Sequence, residues 1–343
     1  MSFGVRSADL DHDKAVIIET LRCFLNPRSD DKRFEWLYRE NPFGEASVWL
    51  AYEGEPDQIV GVAGAFPRRL HMLGRQKLSW VLGDFCVSDQ HRTLGPALML
   101  QRACLSGFEK QGVPLCYDFP SAAMMAVYRR LRLSPFQRLL RLAKPLRVDR
   151  KFKTLFGDSV ASRALAQPAN LLLRLAPMNN RGNQGIEVAL HGGGFGAEFT
   201  ALSERIGDRY GIAMHRSADY LNWRYRAHPL SEFEVVTGGR NGRLLGYAIY
   251  QVVGADGYLL DLFGDAESGV LAPLVADSVA SMRRHGAETV SASLVEGHPW
   301  RKIFHDQGFK LREESPMIVA MTEDLQDSVA GTPWLFMSGD RDS

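Results

Sequence analysis

The chain has 343 residues, more than one hydrophobic core usually serves, and this length predicts two domains of about 150 residues each. Its composition, with 45% hydrophobic and 24% charged residues, is ordinary for a folded soluble protein. The net charge of +1 argues against a protein that binds nucleic acid through bulk charge.

The four cysteines, Cys23, Cys86, Cys104 and Cys116, occur without CxxC spacing. This favours reduced core residues over a disulfide framework or a zinc site, so we expect no metal. The N-terminal residues include no apolar region typical of an export signal, and no window holds 18 apolar residues. We therefore expect a cytoplasmic protein without a membrane-spanning helix.

The first predicted elements are a helical region over residues 14–40, ending at Asn41-Pro42, and antiparallel strands. The strands are predicted at 47–52, 59–68, 70–73 and 77–87, separated by glycine- and proline-containing turns. Asp84 is the only charge in the apolar run from Trp80 to Val87, which predicts a largely buried strand. An acid in such a strand requires a structural or functional reason.

The next predicted elements are a helix over residues 95–112, a strand over 113–119 and a short helix over 122–131. Gly95, Pro96 and Ala97 open the first helix, where proline suits the first turn and glycine permits close approach of a ligand. The motif Arg92-x-x-Gly95-x-Ala97 leaves unpaired backbone N–H groups at the helix N-terminus. A pyrophosphate fits such a corner between a strand and a helix.

This motif, with a strand before it, a helix after it and an acid in the strand, resembles the acyl-CoA loop of the GNAT N-acyltransferase superfamily. The resemblance implies an α/β fold with a mixed sheet and acyl-CoA as co-substrate. It also implies a set of donor-binding residues: Phe85, Cys86, Val87, Arg92, Thr93, Leu94, Gly95, Pro96 and Ala97.

The same resemblance implies the catalytic groups of acyl transfer to an amine. Asp84 is expected to act as the base that takes the ammonium proton, and Tyr128 as the acid that protonates the leaving thiolate. Backbone N–H groups of residues 85–87 are expected to stabilise the oxyanion. His91 is an alternative base or a phosphate contact, and Asp118 and Cys116 are further candidates.

An internal repeat predicts a second copy of the same domain. Residues 34–42 (FEWLYRENP) align with residues 221–229 (LNWRYRAHP) at an offset of 187. Further matches follow in order: residues 59–61 with 244–246, Asp84 with Asp261, and residues 128–133 with 304–309. The sequence therefore predicts two tandem GNAT-like domains.

The second copy is predicted to be degenerate at the CoA loop. Its corner, residues 264–269 (GDAESG), lacks the arginine and places acids where a phosphate would bind. Phe304 stands where the first copy has Tyr128. The glycine-rich residues 191–196 are interpreted as a flexible loop rather than a phosphate cradle.

The segment between the copies is strongly basic, since residues 129–174 contain twelve Lys or Arg and two Asp. Leucines alternate there with Arg138, Arg141, Lys144 and Arg147. Such a stretch is typical of contact with an anionic membrane surface through residues 136–175. The alternatives are a binding surface for CoA phosphates or an acyl-carrier protein, and a basic linker packed on the acidic remainder.

The predicted organisation is an N-terminal domain over residues 1–135, a basic amphipathic linker over 136–185 and a C-terminal domain over 186–330. The predicted function is transfer of an acyl group from acyl-CoA or acyl-carrier protein to a primary amine. The linker favours a lipid-linked amine, as in bacterial ceramide-synthase-like enzymes that acylate a sphingoid base, and a peripheral position on the inner face of the membrane. The alternatives are an amino-sugar acceptor of envelope polysaccharide synthesis, a FemABX-like aminoacyl transferase and a non-enzymatic scaffold.

Overall fold

The computed structural model describes residues 2–147, 185–207 and 209–342. These residues form an α/β fold around one continuous mixed sheet of thirteen strands. Helices cover the sheet, and the side chains between the layers form the core. The predicted α/β class with a mixed sheet is confirmed.

The first half begins with a strand and two short helices and then builds the antiparallel part of the sheet. Its elements are β1 (Phe3–Ser7), α1 (Lys14–Phe24), α2 (Asp31–Phe34), a π-helical turn (Glu35–Arg39), β2 (Ser47–Glu53), β3 (Ile59–Met72), β4 (Arg75–Val87), a 3-10 turn (Asp89–His91), α3 (Leu94–Lys110), β5 (Leu115–Asp118), α4 (Ala122–Arg130) and β6 (Gln137–Pro145).

The second half repeats this order from its own π-helical turn onward. Its elements are β7 (Glu187–Leu190), α5 (Ala197–Ile206), β8 (Ala213–Met214), α6 (Ala218–Leu221), a π-helical turn (Asn222–Arg226), β9 (Glu234–Arg240), β10 (Arg243–Val253), β11 (Asp256–Gly264), a 3-10 turn (Ala266–Ser268), α7 (Leu271–Arg284), β12 (Thr289–Val295), α8 (Arg301–Asp306), β13 (Lys310–Met321), α9 (Glu323–Val329) and a 3-10 turn (Ser338–Asp340).

The predicted helical region over residues 14–40 is interrupted. The chain leaves the helix after Phe24, and Asp30 caps α2 by accepting the backbone N–H of Arg33. A capping side chain at an extended residue favours the start of a helix at that position. The two strands predicted at 59–68 and 70–73 form one strand, β3, whose pairing with β4 continues to Met72.

The last strand of each half crosses to the other half. The strand order in the sheet is β1-β2-β3-β4-β5-β13-β6-β12-β11-β10-β9-β7, and β8 pairs with β3. β6 pairs with β12 of the second half, whereas β13 pairs with β5 of the first half, and β6 and β13 pair with each other at the centre of the sheet. The two halves therefore exchange equivalent strands, so neither half closes its sheet with its own residues alone.

This exchange places the first part of the predicted basic amphipathic linker, which spans residues 136–185, in the sheet. Residues 137–145 are a sheet strand with Leu139, Leu140 and Leu142 buried. Arg138 pairs with Glu314 at 2.6 Å and Arg141 with Glu313 at 2.6 Å, both across the β6–β13 pair. These two arginines therefore give no support to the predicted membrane contact. The rest of the basic segment, at 148–184, lies outside the described residues.

The cysteines are free, and three of them are buried as expected, whereas Cys23 is exposed. Among the described residues, every helix is too short or too polar to cross a bilayer. No group of three or more His, Cys, Asp or Glu side chains in the described part of the chain is placed to hold a metal ion.

Candidate active site

The candidate site lies where β4 and β5 separate. These parallel strands pair only at Trp80 with Cys116 and at Val81 with Tyr117. Beyond these pairs a cavity of about 890 Å³ opens between them. Strand divergence in an α/β sheet exposes peptide groups that interior strands otherwise bond to each other, and such crevices are where ligands bind.

The cavity collects most of the predicted donor-binding residues. Phe85, Cys86 and Val87 line it from β4, and Arg92, Thr93, Leu94 and Ala97 line it from the corner and α3. Gly95 and Pro96 lie in the first turn of α3 but are not among the lining residues. The roles of these residues in donor binding stay predictions.

The N-terminus of α3 is open to a ligand. Thr93 precedes the helix in an extended conformation, and its side chain makes no capping hydrogen bond. A Cβ on Gly95 would meet only the Thr93 hydroxyl, at 3.9 Å. Arg92 is exposed and pairs with Asp89 at 2.8 Å, an exposed contact worth about 0–1 kcal/mol. Arg92 is therefore free to turn toward an anion at this helix end.

Asp84 lies at a β-bulge, because β4 residues 84 and 85 are opposed by one residue of β3. Its φ of 46° is in the left-handed region, which is strained for a residue other than glycine. Both carboxylate oxygens accept hydrogen bonds from the Arg33 guanidinium, at 2.7 and 2.8 Å, and Oδ2 also accepts the Tyr38 hydroxyl at 2.7 Å. The ion pair fixes the bulge.

The second half contains an equivalent buried Arg–Asp pair but lacks the CoA loop. Asp261 on β11 is buried and accepts hydrogen bonds from Arg216 at 2.9 to 3.2 Å. Since this half lacks the anion-binding motif, a buried Arg–Asp pair on the central strand does not require catalysis. The contacts of Asp84 therefore favour a structural role over that of a proton acceptor.

Asp118 faces the cavity, and its pKa is raised. Burial raises this pKa to about 7, and the negative charge of Asp342 adds to the shift, although the hydrogen bond from Tyr128 opposes it. The Tyr128 hydroxyl donates to Asp118 Oδ2 at 2.6 Å and accepts from Gln101 Nε2 at 3.1 Å. A carboxyl with a pKa near neutrality is suited to proton transfer.

The predicted residues Tyr128, His91 and Cys116 do not line the cavity. Tyr128 is fully buried, and burial raises its pKa well above 10, so it stays protonated. His91 contacts Ser88 Oγ at 2.6 Å through Nδ1 and Glu53 at 3.1 Å through Nε2. Burial also raises the pKa of the Cys116 thiol, which excludes it as a thiolate nucleophile near neutral pH.

Two residues of the second half that the sequence did not single out also contribute to this cavity. Arg341 and Asp342, from the end of the chain, line it. Asp342 packs on Gly83, where a Cβ would collide with its carboxylate, so glycine is required for this approach. Burial and the Asp84 charge raise the pKa of Asp342. Two carboxyl groups with raised pKa values, Asp118 and Asp342, thus face one cavity.

The second-half corner holds acids where the first half is open, as its sequence suggests. Asp265 Oδ1 accepts the backbone N–H of Glu267, and Arg209 Nη1 lies 3.7 Å from the same oxygen. A carboxylate already occupies the backbone donors that an anion would need there.

Comparison with known families identifies what the first part of the chain resembles. Residues 5–132 match the model of the acetyltransferase (GNAT) domain. This match covers 128 of the 343 residues and supports an acyltransferase. None of the curated proteins compared with the chain matches it in sequence.

Solved structures with the same fold extend over both halves. A probable N-acyltransferase from Enterococcus faecalis aligns with a TM-score of 0.67 at 11% identity, covering 94% of this chain and 73% of that one. A GCN5-related N-acetyltransferase from Anabaena variabilis aligns with a TM-score of 0.65 at 12% identity, covering 93% and 73%. N-myristoyltransferase from Saccharomyces cerevisiae, solved with bound myristoyl-CoA, aligns with a TM-score of 0.59 at 12% identity, covering 93% and 82%.

These similarities show a shared fold that continues beyond the GNAT domain into the second half. The cavity between β4 and β5 belongs to the GNAT domain, except for the two residues from the end of the chain.

Proposed function

We propose that the chain transfers an acyl group from acyl-CoA to a primary amine in the cavity between β4 and β5. The observation that carries this proposal is the juxtaposition, in one cavity of about 890 Å³, of an uncapped helix N-terminus and the Asp118 carboxyl. The first feature suits a pyrophosphate, and the second suits removal of a proton from an amine.

The donor is proposed to bind with its pyrophosphate at the first turn of α3. The backbone N–H groups there and the exposed Arg92 supply positive potential. The thioester then extends along β4, past Phe85 to Val87, whose peptide N–H groups are the proposed oxyanion donors. Apolar side chains that suit an acyl chain line the cavity: Phe24, Leu25, Phe119, Met124 and Val127.

Asp118 is the proposed base. It takes a proton from the ammonium group, and the free amine nitrogen attacks the thioester carbon. The C–S bond breaks as the tetrahedral intermediate collapses, and the nitrogen releases its second proton to solvent, which leaves the neutral amide. The thiolate of CoA leaves and is protonated, with Asp118 or solvent as the source. Because burial raises the pKa of Asp118 to about 7, this carboxyl can accept and release a proton near neutral pH.

Tyr128 is proposed as a positioning residue for Asp118, through the 2.6 Å hydrogen bond between them. Its predicted role as the acid for the thiolate, and the predicted roles of Asp84 and His91 as bases, have less support, because none of the three presents an unoccupied polar atom in the cavity. Asp342 is proposed to contact the incoming ammonium group from the second half.

The tandem organisation is proposed to serve this site. The second half, with its acidic corner, does not hold a donor in this proposal. It supplies Arg341 and Asp342 and closes the sheet beside β5 through β13.

The acceptor is proposed as a primary amine. The argument for a lipid-linked amine, such as a sphingoid base, depends on the basic segment. Arg138 and Arg141 give it no support, because they pair with glutamates in the sheet. An amino sugar remains a candidate, and acyl-carrier protein remains an alternative donor. The presence of the Arg92-x-x-Gly95-x-Ala97 corner gives less support to an aminoacyl-tRNA donor.

The proposal is tested by release of the CoA thiol from acyl-CoA donors of different chain length, with and without a panel of lipid, sugar and peptide amines. We expect amine-dependent thiol release that falls by about 10² in Asp118→Asn. Asp327→Asn, an exposed carboxyl on α9, is the matched control and should keep full activity. Amine-dependent release at an equal rate in Asp118→Asn would remove Asp118 from the mechanism.

A further inference from the structure

A second cavity, of about 260 Å³, lies between the two halves of the chain. Its walls come from the segment before α2, from both π-helical turns and from the 3-10 turn at Ser338. A water molecule occupies about 30 Å³ of liquid, so this space suits a molecule of roughly nine heavy atoms.

The charge of this cavity is unbalanced. Arg28, Arg33 and Arg224 line it, and no aspartate or glutamate is among its described lining residues. Arg33 is neutralised by Asp84 on its far side. Arg28 is exposed, and neither Arg28 nor Arg224 forms an ion pair within 4 Å in the described ranges of the chain.

Arg224 gives the strongest indication of a ligand in this cavity, because it is only 5% exposed. Its Nε donates to the Gly339 carbonyl at 3.2 Å, but its Nη1 is buried and has no hydrogen-bond partner among the described residues. Asp340 and Asp342 lie near enough for their charges to act on Arg224, yet Asp340 bonds Arg216 and Asp342 lines the other cavity. A buried guanidinium with an unpaired N–H group and no bonded counter-charge is costly, and a bound anion reduces that cost.

The remaining walls suit a small polar ligand. Trp36 and Phe233 provide aromatic surface, and Ser231 and Gln251 provide uncharged polar groups. His228 Nδ1 accepts the backbone N–H of Leu230 at 3.1 Å. Burial, reinforced by the charges of Arg224, Arg33 and Arg28, lowers the pKa of His228 to about 4, so the ring is neutral and carries its proton on Nε2 as a donor.

We infer that this interdomain cavity binds a small oxyanion, a carboxylate or a phosphate, between Arg224 and Arg28. Guanidinium groups match the planar geometry of carboxylates and the oxygens of phosphates, and an aromatic wall excludes water from the pair. The inference does not depend on the proposed acyl transfer. Arg33 and Asn26 line both cavities, so an occupant here adjoins the wall of the candidate active site.

The test is a calorimetric titration of the full chain with two probes, inorganic phosphate and succinate, against sodium chloride at matched ionic strength. We expect saturable binding of at least one probe, and the response to each identifies whether phosphate or carboxylate is preferred. Arg224→Met should raise its dissociation constant at least tenfold, and Arg28→Gln at least threefold. Arg28 is exposed, so its variant keeps the test valid if Arg224→Met does not fold.

Two controls separate this site from others. Arg130→Gln removes an exposed arginine elsewhere and should bind the probe as the wild type does. Arg92→Gln should also leave probe binding unchanged, because Arg92 lines the other cavity. The inference is overturned if neither probe binds saturably, if Arg28→Gln binds like the wild type, or if Arg92→Gln alone removes binding.

Discussion

Trp36 and Trp223 bond each other reciprocally across the centre of the molecule. The Trp36 indole N–H donates to the Trp223 carbonyl at 2.8 Å, and the Trp223 indole N–H donates to the Trp36 carbonyl at 2.7 Å, with the rings stacked at 5.0 Å. The two residues are 187 positions apart, which is the offset of the internal repeat. Equivalent residues of the two halves therefore meet at a pseudo-two-fold axis.

This relationship explains why the halves form one unit. Each indole satisfies a backbone acceptor of the other half, and the exchanged strands β6 and β13 continue the same symmetry into the sheet. Arg68 and Arg224 lie over the Trp223 and Trp36 rings at 5.2 and 5.8 Å. Separation of the halves would expose these groups and break the central strand pairs.

The first prediction concerns the pH dependence of Asp118. As the proposed base, its deprotonation should give an acidic limb in kcat/KM with a midpoint near pH 7, which Asp118→Asn removes together with most of the rate. The raised pKa also means that the native state loses stability as pH rises from 3.8 through about 7. Asp118→Asn should therefore reduce the fall in Tm between pH 5 and pH 8. An unchanged fall in Tm would show that the carboxyl is not perturbed.

The second prediction concerns Tyr128→Phe. The Tyr128 hydroxyl lowers the pKa of Asp118 by donating to it, so its loss should move the acidic limb of kcat/KM to higher pH while the plateau stays within about tenfold of the wild type. A pH–rate profile measures both. A loss of about 10² to 10⁴ at every pH, with the limb in place, would instead mark Tyr128 as the general acid.

The third prediction concerns the buried ion pair of β4. Asp84→Asn leaves the Arg33 guanidinium buried without a counter-charge and should lower the free energy of unfolding by about 3–5 kcal/mol. Denaturant unfolding measures this loss. Asp261→Asn is the matched variant, and it should cost less because Asp340 remains bonded to Arg216. If Asp84→Asn keeps full stability but loses the acidic limb of the pH profile, Asp84 is the base after all.

The fourth prediction concerns the basic strand β6. Arg138 and Arg141 make exposed ion pairs, each worth about 0–1 kcal/mol, so their joint replacement by glutamine should change stability only slightly. Co-sedimentation with anionic vesicles should be the same for this variant and the wild type. A drop in vesicle binding would restore the membrane surface hypothesis for this segment.

The sequence predicts the GNAT corner well because its signals are local. The apolar run of β4, the proline and glycine at the start of α3 and the helical spacing of Leu100, Cys104 and Phe108 all lie within one short stretch. The repeat likewise rests on nine-residue windows, and its aligned residues fall on equivalent elements, Tyr128 in α4 and Phe304 in α8.

The errors come from partners distant in sequence. Arg33, which engages Asp84, is 51 residues away, so an acid in a buried strand reads equally well as a base or as half of an ion pair. The glutamates that pair with Arg138 and Arg141 are 176 and 172 residues away, and without them the segment resembles an amphipathic surface stretch. Asp342 reaches the cavity only through the fold of the second half.

Acyl-CoA is proposed to bind at the N-terminus of α3, and Gly95→Trp tests this binding most directly. A Cβ on Gly95 meets nothing closer than 3.9 Å, so the variant should fold, with its indole filling the space that a pyrophosphate needs. Gly193→Trp is the matched control, because a Cβ on Gly193 also meets open space, in a loop of the second half. Calorimetric titration with acyl-CoA should show a dissociation constant raised at least tenfold in Gly95→Trp, about 1.4 kcal/mol, and unchanged in Gly193→Trp. An equal dissociation constant in Gly95→Trp and the wild type would contradict the account.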